Sequence, residues 1–368
     1  MTGPAAITVL SVSWRSADFL RALIANLLTQ ASRPGDLRFL IADNTNGGDP
    51  ELAGLDAPGA QIVPVDVSRE RMSLAHAIGL NALFARVDTP YVLVIDPDVA
   101  VFQPGWDTIL TAIVSDPART QVVVAGAPYP AWKLGKYHDF PSPPFAFWRA
   151  DALRALDPDW RPYARTATRR LADFGLRQVF WLPRLIDRAV LRLPRREFRA
   201  GRWVERWTGV VSKDTGWQIA DRARRRGWRA AAFPVVSAVE SLDGVAPGQG
   251  AAYAALAAEF ELYAWENRPF LTHRNPTRAQ LGLNLWTNTN VTLYQNQAEK
   301  AAQTARWRAL GVTPLSGDLD DRASLRRLAG LAEDAGRGSD RFGRRLPRGG
   351  RPHRCRPARR HASRSGAG

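Results

Sequence analysis

The sequence contains very little cysteine, since Cys355 is the only one among 368 residues. A disulfide-stabilised scaffold and a cysteine-based zinc finger are therefore excluded. The sequence also contains no run of 18 uncharged apolar residues, and no basic segment followed by an apolar one at its N-terminus. From these absences we expect a cytoplasmic protein that neither spans a membrane nor carries an export signal.

Lysine is scarce as well, because only four of the 51 basic residues are Lys and the others are Arg. The four are Lys133, Lys136, Lys213 and Lys300. Two segments supply the net charge of +16: residues 161–208 hold thirteen Arg and four acidic residues, and residues 337–368 hold eleven Arg and one acidic residue. No aromatic-interleaved basic platform accompanies these Arg runs, so a nucleic-acid partner is not expected.

The chain is predicted to have three regions. Its 45% hydrophobic and 23% charged residues are a globular composition, and its length suits one α/β catalytic domain with an extension. We predict the α/β domain over residues 1–240 and a mainly helical extension over 241–335. Arg, Gly, Pro and Ser dominate residues 336–368 without apolar periodicity, which predicts a disordered tail.

Short apolar runs alternate with segments of helical periodicity in the first part of the chain. The predicted strands are Ile7–Ser13, Leu37–Ala42, Gln61–Val65 and Tyr91–Ile95, and the predicted helices are a segment capped by Ser16, one capped by Ser73 and one at 106–114. Nearly continuous apolar strands alternating with helices indicate a mostly parallel sheet covered by helices on both faces. Ligands bind such sheets at the carboxyl ends of the strands.

Two carboxylates, Asp96 and Asp98, follow the last of these strands and flank Pro97. Neighbouring carboxylates repel each other unless a cation lies between them, and oxygen ligands suit Mg²⁺ or Mn²⁺. A polar turn without any ligand would have the same sequence. The position of the pair in the sheet, together with Asp43 at the end of the second strand, favours a metal site.

Read in order, these motifs resemble the family 2 glycosyltransferases of the GT-A fold over roughly residues 5–235. The resemblance rests on an ordered set of segments: 7–16, 41–45, 73–81, 91–99, 145–149 and 213–217. It implies a Rossmann-like GT-A domain that transfers a hexosyl or deoxyhexosyl group from a nucleoside-diphosphate sugar to an acceptor hydroxyl. It also implies inversion of the anomeric centre, and a role in polysaccharide or glycoconjugate synthesis.

The resemblance assigns donor-side roles to particular residues. The nucleotide is UDP, dTDP or GDP, and the cation is Mg²⁺ or Mn²⁺. Asp98 would bind the metal directly, Asp96 would hold the ribose or the metal, and His273 would assist the metal or the diphosphate. The donor nucleotide would contact Ser13, Trp14, Arg15, Asp43 and Asp96.

The resemblance assigns acceptor-side roles as well. Asp214 is expected to be the general base, and His138 and Trp217 to lie near the acceptor. The family usually has an acidic residue before the base, whereas this chain has Lys213, whose ammonium would weaken the base. A helix N-cap is the alternative role for Asp214, with Asp173 and Glu205 as substitute bases. His76 is expected to pack within a helix.

Residues 174–207 form a basic insert between the acceptor-side strand and Asp214. Leucines and other apolar residues alternate there with Arg184, Arg188 and Arg192 at helical spacing, flanked by aromatic residues. Two interpretations remain open. The insert either packs on the domain with its arginines in solvent, or contacts an anionic membrane from the cytoplasmic side and meets a lipid-linked rather than a free saccharide acceptor.

Two other classes of protein with a related fold are alternative interpretations of this sequence. A sugar-nucleotide pyrophosphorylase would have a Gly-rich phosphate loop after the first strand, and this chain has none. A non-catalytic protein that binds a sugar nucleotide or a glycan remains an alternative, because Lys213 could mark a lost base.

Overall fold

A computed structural model gives the structure of this chain. It describes residues 6–162 apart from Asp56, Glu70, Arg71, Trp132 and Leu134, and residues 199–273 apart from 211–212, 237–238, 240–241, 246–247 and 260; Gly175 is also described. Asp173, the arginines of the basic insert at 184–192, the extension beyond 273 and the Arg-rich tail lie outside the described residues.

A seven-stranded sheet forms the centre of the described domain, in the order β3-β2-β1-β4-β7-β6-β8. Its strands are β1 (Ile7–Ser13), β2 (Leu37–Asp43), β3 (Ala60–Pro64), β4 (Tyr91–Ile95), β6 (Val122–Pro128), β7 (Pro141–Arg149) and β8 (Arg229–Ala232). Strand β1 is parallel to β2 and β4, whereas β7 runs antiparallel to β4 and β6. The predicted α/β class with a mostly parallel sheet is confirmed.

Helices cover both faces of this sheet and enclose two apolar cores. They are α1 (Ala17–Gln30), α2 (Pro50–Ala53), α3 (Met72–Phe84), α4 (Trp106–Val114), α5 (Ala150–Ala155), α6 (Arg199–Thr208), α7 (Trp217–Arg225) and α8 (Gly250–Glu259). Strands β1 and β4 are buried along almost their whole length, as expected for strands covered on both faces. The four strands predicted from apolar runs are present within a residue or two of their predicted ends.

One of the two predicted helix caps lies at its predicted position. Ser16 occupies the N-cap position of α1, but its hydroxyl bonds to the Ser13 hydroxyl at 3.0 Å and makes no capping bond. Helix α3 begins at Met72, so Ser73 lies inside its first turn.

A second, three-stranded sheet extends the domain beyond the boundary predicted at residue 240. Strand β10 (Arg268–His273) pairs antiparallel with both β5 (Val99–Val101) and β9 (Glu261–Trp265). The described part of the predicted helical extension therefore contains two strands besides α8. The prediction missed them because both strands are short and the third strand of their sheet, β5, comes from far earlier in the sequence.

Within the part of the chain that the structure describes, no helix is long and apolar enough to cross a membrane.

Candidate active site

Three strand ends bring the predicted donor-side residues to one edge of the large sheet. Strand β1 ends at Ser13, which is paired in register with Asp43 at the end of β2. Strand β4, the other neighbour of β1, ends just before Asp96. The carboxyl ends of parallel strands meet at one edge of the sheet, so the ordering of the strands assembles this site.

Asp96, Asp98 and His273 form a cluster with the geometry of a metal site. Each residue offers one ligand atom, and the three atoms lie within 4.8 Å of one another. His273 Nε2 is 3.6 Å from both Asp96 Oδ2 and Asp98 Oδ1. The antiparallel pairing of β10 with β5 holds His273 opposite Val99, directly after the two aspartates. The sequence-based prediction assigned these three residues to one metal site, and the structure places their side chains next to one another.

The chemistry of the cluster fits a divalent cation. Asp98 Oδ1 is buried and accepts no hydrogen bond, which is costly for a carboxylate oxygen unless a cation neutralises it. Burial raises the pKa of Asp96, and the nearby His76 and His273 offset this only in part, while Asp98 raises it further. Two carboxylate oxygens and one imidazole nitrogen are a donor set suited to Mn²⁺ or Mg²⁺.

A carboxylate on the side of the ring away from the two aspartates fixes the orientation of His273. His273 Nδ1 lies 3.2 Å from Glu261 Oε2, and an ionised carboxylate only accepts hydrogen bonds, so Nδ1 carries the proton. Nε2, the other ring nitrogen, consequently faces the two aspartates and can bind a cation once its own proton is lost. This arrangement, a carboxylate behind a histidine, is the one that commonly orients histidine ligands of metals.

Glu261 is in turn paired with Lys133. The Lys133 ammonium lies 2.8 Å from Glu261 Oε1, and Tyr263 donates its hydroxyl to Oε2 at 3.1 Å. Burial alone would raise the pKa of Glu261, but the charge of Lys133 and the His273 hydrogen bond outweigh it and lower the pKa to about 2. For His273, burial lowers the pKa, and Asp98 and Glu261 outweigh that effect and raise it.

His76 also reaches the cluster, which corrects the prediction that it packs within a helix. Its Nε2 lies 3.5 Å from Asp96 Oδ1, on the side of Asp96 away from its contact with His273. The sequence did not indicate this contact, because α3 is apolar along most of its length and its pattern does not show which face packs on the sheet.

Asp214, the predicted base, forms an ion pair with Lys136. Lys136 Nζ donates to Asp214 Oδ2 at 2.7 Å, and Thr215 N donates to Oδ1 at 2.9 Å. Burial raises the pKa of Asp214, but Lys136 outweighs burial and, with a hydrogen bond from the Ser73 side chain, holds the pKa well below its usual range. The carboxylate is therefore ionised at neutral pH.

The N-cap alternative for Asp214 is wrong. Helix α7 begins at Trp217, and its N-cap is Gly216, which has a φ of +77° and no capping side chain. Lys213, expected to weaken the base, places its ammonium 4.5 Å from the centre of the Trp217 ring. The cation next to Asp214 is Lys136, which lies 78 residues earlier in the chain.

The loop between β6 and β7, residues 129–140, connects the metal cluster with Asp214. Lys133 and Lys136 both lie on it, and their ammonium groups are 5.6 Å and 4.9 Å from the centre of the Tyr129 ring. Burial, followed by the charge of Asp214, raises the pKa of Tyr129 well above the usual value. One loop thus supplies a lysine to each of two site carboxylates, Glu261 and Asp214.

Helix α6 holds this loop in place through Glu205. Glu205 Oε1 accepts a hydrogen bond from Gly135 N at 2.6 Å and lies 3.0 Å from His138 Nε2. The other His138 nitrogen faces Tyr129 O at 2.7 Å. Both ring nitrogens of His138 are thus engaged with the protein, and Glu205, the substitute base, already anchors the loop.

The predicted nucleotide loop follows β1. Trp14 is exposed, and Arg15 has a φ of +53°. Asp43 is buried and accepts hydrogen bonds from Thr45 N, Thr45 Oγ1 and Gly47 N, so it fixes the turn after β2. Its predicted contact with the nucleobase stays a prediction. Asn44 Oδ1, next to it, is buried without a hydrogen-bond donor.

The residues that sequence reasoning missed are Lys133, Lys136, Glu261, Tyr129 and His76. One signal could have revealed the first two. In a chain that uses Arg for 47 of its 51 basic residues, each lysine departs from the general usage and so draws attention to its position. All three lysines of the described segments, Lys133, Lys136 and Lys213, lie at this site.

No protein-family model and no curated protein matches this chain. Solved structures that are similar to it include several glycosyltransferases. The TarS 1–349 structure from S. aureus in complex with UDP-GlcNAc is 13% identical with a TM-score of 0.31; the match covers 44% of this chain and 50% of TarS 1–349. The chain thus spans about half the length of that protein.

Two further structures resemble the chain with similar sequence identities and TM-scores. The mannosyltransferase PcManGT from Pyrobaculum calidifontis, in complex with GDP-Man and Mn²⁺, is 13% identical with a TM-score of 0.34, covering 86% of this chain and 88% of that one. Mouse xyloside xylosyltransferase 1 is 10% identical with a TM-score of 0.28, covering 41% and 69%.

Proposed function

We propose that this protein is a metal-dependent glycosyltransferase that moves a sugar from a nucleoside-diphosphate sugar to an acceptor hydroxyl. The observation that carries the proposal is the cluster of Asp96, Asp98 and His273, with its orphaned Asp98 oxygen, at the carboxyl edge of a mostly parallel sheet. Nucleotides bind α/β sheets at that edge. UDP, GDP or dTDP is the donor nucleotide, and a saccharide, free or lipid-linked, is the acceptor.

Asp96, Asp98 and His273 would hold the divalent cation. Bound there, Mn²⁺ or Mg²⁺ would neutralise the charge that develops on the leaving diphosphate. Glu261 keeps the proton of His273 on Nδ1 and so keeps Nε2 available as a ligand atom. Lys133 keeps Glu261 ionised, which maintains this orientation.

Asp214 takes the proton of the acceptor hydroxyl. It is ionised, and its negative charge contributes to the raised pKa of Asp96. The ion pair with Lys136 lowers its basicity. Proton transfer therefore comes late, after the bond to the diphosphate has largely broken and attack on the oxocarbenium-like carbon has made the hydroxyl acidic. A carboxylate that deprotonates the acceptor directly gives one displacement, and one displacement inverts the anomeric centre.

The Lys136–Asp214 ion pair also favours a second candidate, a sugar-nucleotide-binding protein without turnover. A carboxylate held in a permanent ion pair would not accept a proton, and the site would then bind the donor and its cation without transferring the sugar. The two candidates differ only in turnover.

Two measurements on the full chain test the proposal. A thermal-shift panel of UDP-, GDP- and dTDP-sugars, with Mn²⁺ and with a chelator, should show stabilisation by one nucleotide class only when Mn²⁺ is present. Release of nucleoside diphosphate from that donor, with water as the acceptor of the sugar, then separates an enzyme from a binder. Stabilisation without any release would support the binder, and no stabilisation by any donor would contradict both candidates.

A further inference from the structure

Helix α6 presents its tryptophans to solvent and its carboxylate to the protein. The Trp203 and Trp207 side chains are 63% and 78% exposed, and their rings contact each other edge to face with centroids 6.2 Å apart. Glu205, on the opposite side of the helix, is nearly buried against the loop 129–140. This is the reverse of an ordinary surface helix, whose apolar stripe faces the core.

Exposed tryptophans are rare in the part of the chain that the structure describes. The large hydrophobic side chains exposed there are Trp14, Trp203 and Trp207. Trp14 follows β1 at the proposed nucleotide site, whereas the other two lie one turn apart on α6, outside the site. Neighbouring exposed apolar side chains on a folded surface mark an interaction surface.

The charge of the sequence segment that contains these tryptophans indicates the partner. Arg206 lies between them in sequence and is exposed. The ten residues of α6 include three Arg and one Glu, and that Glu is turned inward. Residues 161–208 as a whole carry thirteen Arg against four acidic residues. Tryptophan combined with arginine suits the headgroup level of an anionic bilayer, where the indole sits at the interface and the guanidinium meets phosphate.

We propose that the outer face of α6, formed by Trp203, Arg206 and Trp207, docks on an anionic phospholipid membrane. The inference does not depend on sugar transfer, because it rests on the exposed face of this helix alone. It would nevertheless matter for the site. The inner face of α6 holds Gly135 and His138 through Glu205, and Lys136 of the same loop pairs with Asp214. Docking would therefore bring the Asp214 side of the site close to the membrane surface.

Sedimentation with vesicles tests the proposal on the full chain. The vesicles are phosphatidylcholine with about one third phosphatidylglycerol, compared with pure phosphatidylcholine. Wild type should bind the anionic vesicles, and the double variant Trp203→Ser/Trp207→Ser should bind about tenfold more weakly. Arg206→Glu should weaken binding by about fivefold or more. Arg119→Glu is the matched control, because it makes the same charge change at a position just before strand β6 begins. This variant should bind like wild type.

The Arg-rich residues 337–368 are present in every variant and should attract anionic vesicles whatever α6 does. A second readout is therefore needed that reports the tryptophans themselves. Brominated phosphatidylcholine in the anionic vesicles should quench wild-type tryptophan fluorescence, and the conservative variant Trp203→Phe/Trp207→Phe should lose most of that quenching. The proposal is overturned if wild type fails to bind, or if wild type and both double variants bind equally. It is also overturned if sedimentation equilibrium shows a wild-type dimer that the tryptophan variants convert to a monomer, since a second copy would then cover α6.

Discussion

Lys136 Nζ lies 2.7 Å from Asp214 Oδ2, and both side chains are largely shielded from solvent. A buried ion pair is worth little net stability, but removing one partner leaves the other as an uncompensated charge. The pair therefore controls the protonation of Asp214 more than it stabilises the fold. The role of Asp214 can be tested from either side of this contact.

Replacing Asp214 itself tests its role as base. Asp214→Asn should leave donor affinity near wild type and lower the turnover rate by about 10²–10⁴-fold, because only the proton transfer is lost. Initial rates and donor titrations on the same preparation separate the two effects. Turnover within a few-fold of wild type would mean that another residue accepts the proton.

Replacing Lys136 should shift the pH dependence of turnover. In wild type the pKa of Asp214 lies below its usual range, so Asp214 stays ionised at every pH from 5 to 9. Lys136→Met removes the opposing charge and leaves the effect of burial uncompensated, so the pKa of Asp214 should rise above that of a free carboxyl. The acid limb of the turnover profile should then move to higher pH, whereas Lys136→Arg should keep the wild-type profile. Identical profiles for the Met and Arg variants would contradict this role.

Lys133 is expected to act on the cation through Glu261 and His273. Lys133→Met leaves Glu261 without its cationic partner, so His273 loses its fixed orientation, and Mn²⁺ affinity should fall by about 10–100-fold. Calorimetric titration of Mn²⁺ into the nucleotide-bound protein measures this without any turnover. Lys133→Arg should restore much of the affinity. Unchanged Mn²⁺ binding in the Met variant would assign Lys133 a purely structural role.

Cation binding should strengthen as pH rises from about 5 to 8. The pKa values of Asp96 and His273 are both raised, so each group retains its proton to a higher pH than usual, and a cation must displace that proton. The Mn²⁺ dissociation constant measured at several pH values should fall across this range and then level off. A dissociation constant that stays flat over the whole range would show that neither group releases a proton on binding.

The sequence predicted the elements of the fold that depend on local pattern. The apolar runs of β1, β2 and β4 are visible because both faces of these strands are buried, and Asp96 and Asp98 stand out because they end such a run. Strands β9 and β10 were missed, although they are neighbours in sequence and pair with each other, because both are short and the third strand of their sheet, β5, lies more than 150 residues earlier.

The charge partners of the site were predicted less well than its carboxylates. Sequence proximity suggested that Lys213 would oppose Asp214, whereas the structure turns Lys213 onto Trp217 and supplies Lys136 from a distant loop. Glu261 gave no sequence signal at all, because its function depends on the buried contacts of β9 with His273 and Lys133. Ion pairs between distant segments are set by tertiary packing, and no local pattern records them.

The most direct test of the central claim is the release of nucleoside diphosphate from a sugar nucleotide by wild type and by Asp98→Asn. With the donor identified by thermal shift, wild type should release diphosphate with Mn²⁺ and stop when a chelator is added. Asp98→Asn should fold and melt like wild type but release none, and Mn²⁺ should no longer increase its affinity for the nucleotide. Equal release with Mn²⁺ and with chelator, or unimpaired release by Asp98→Asn, would contradict metal-dependent sugar transfer at this site.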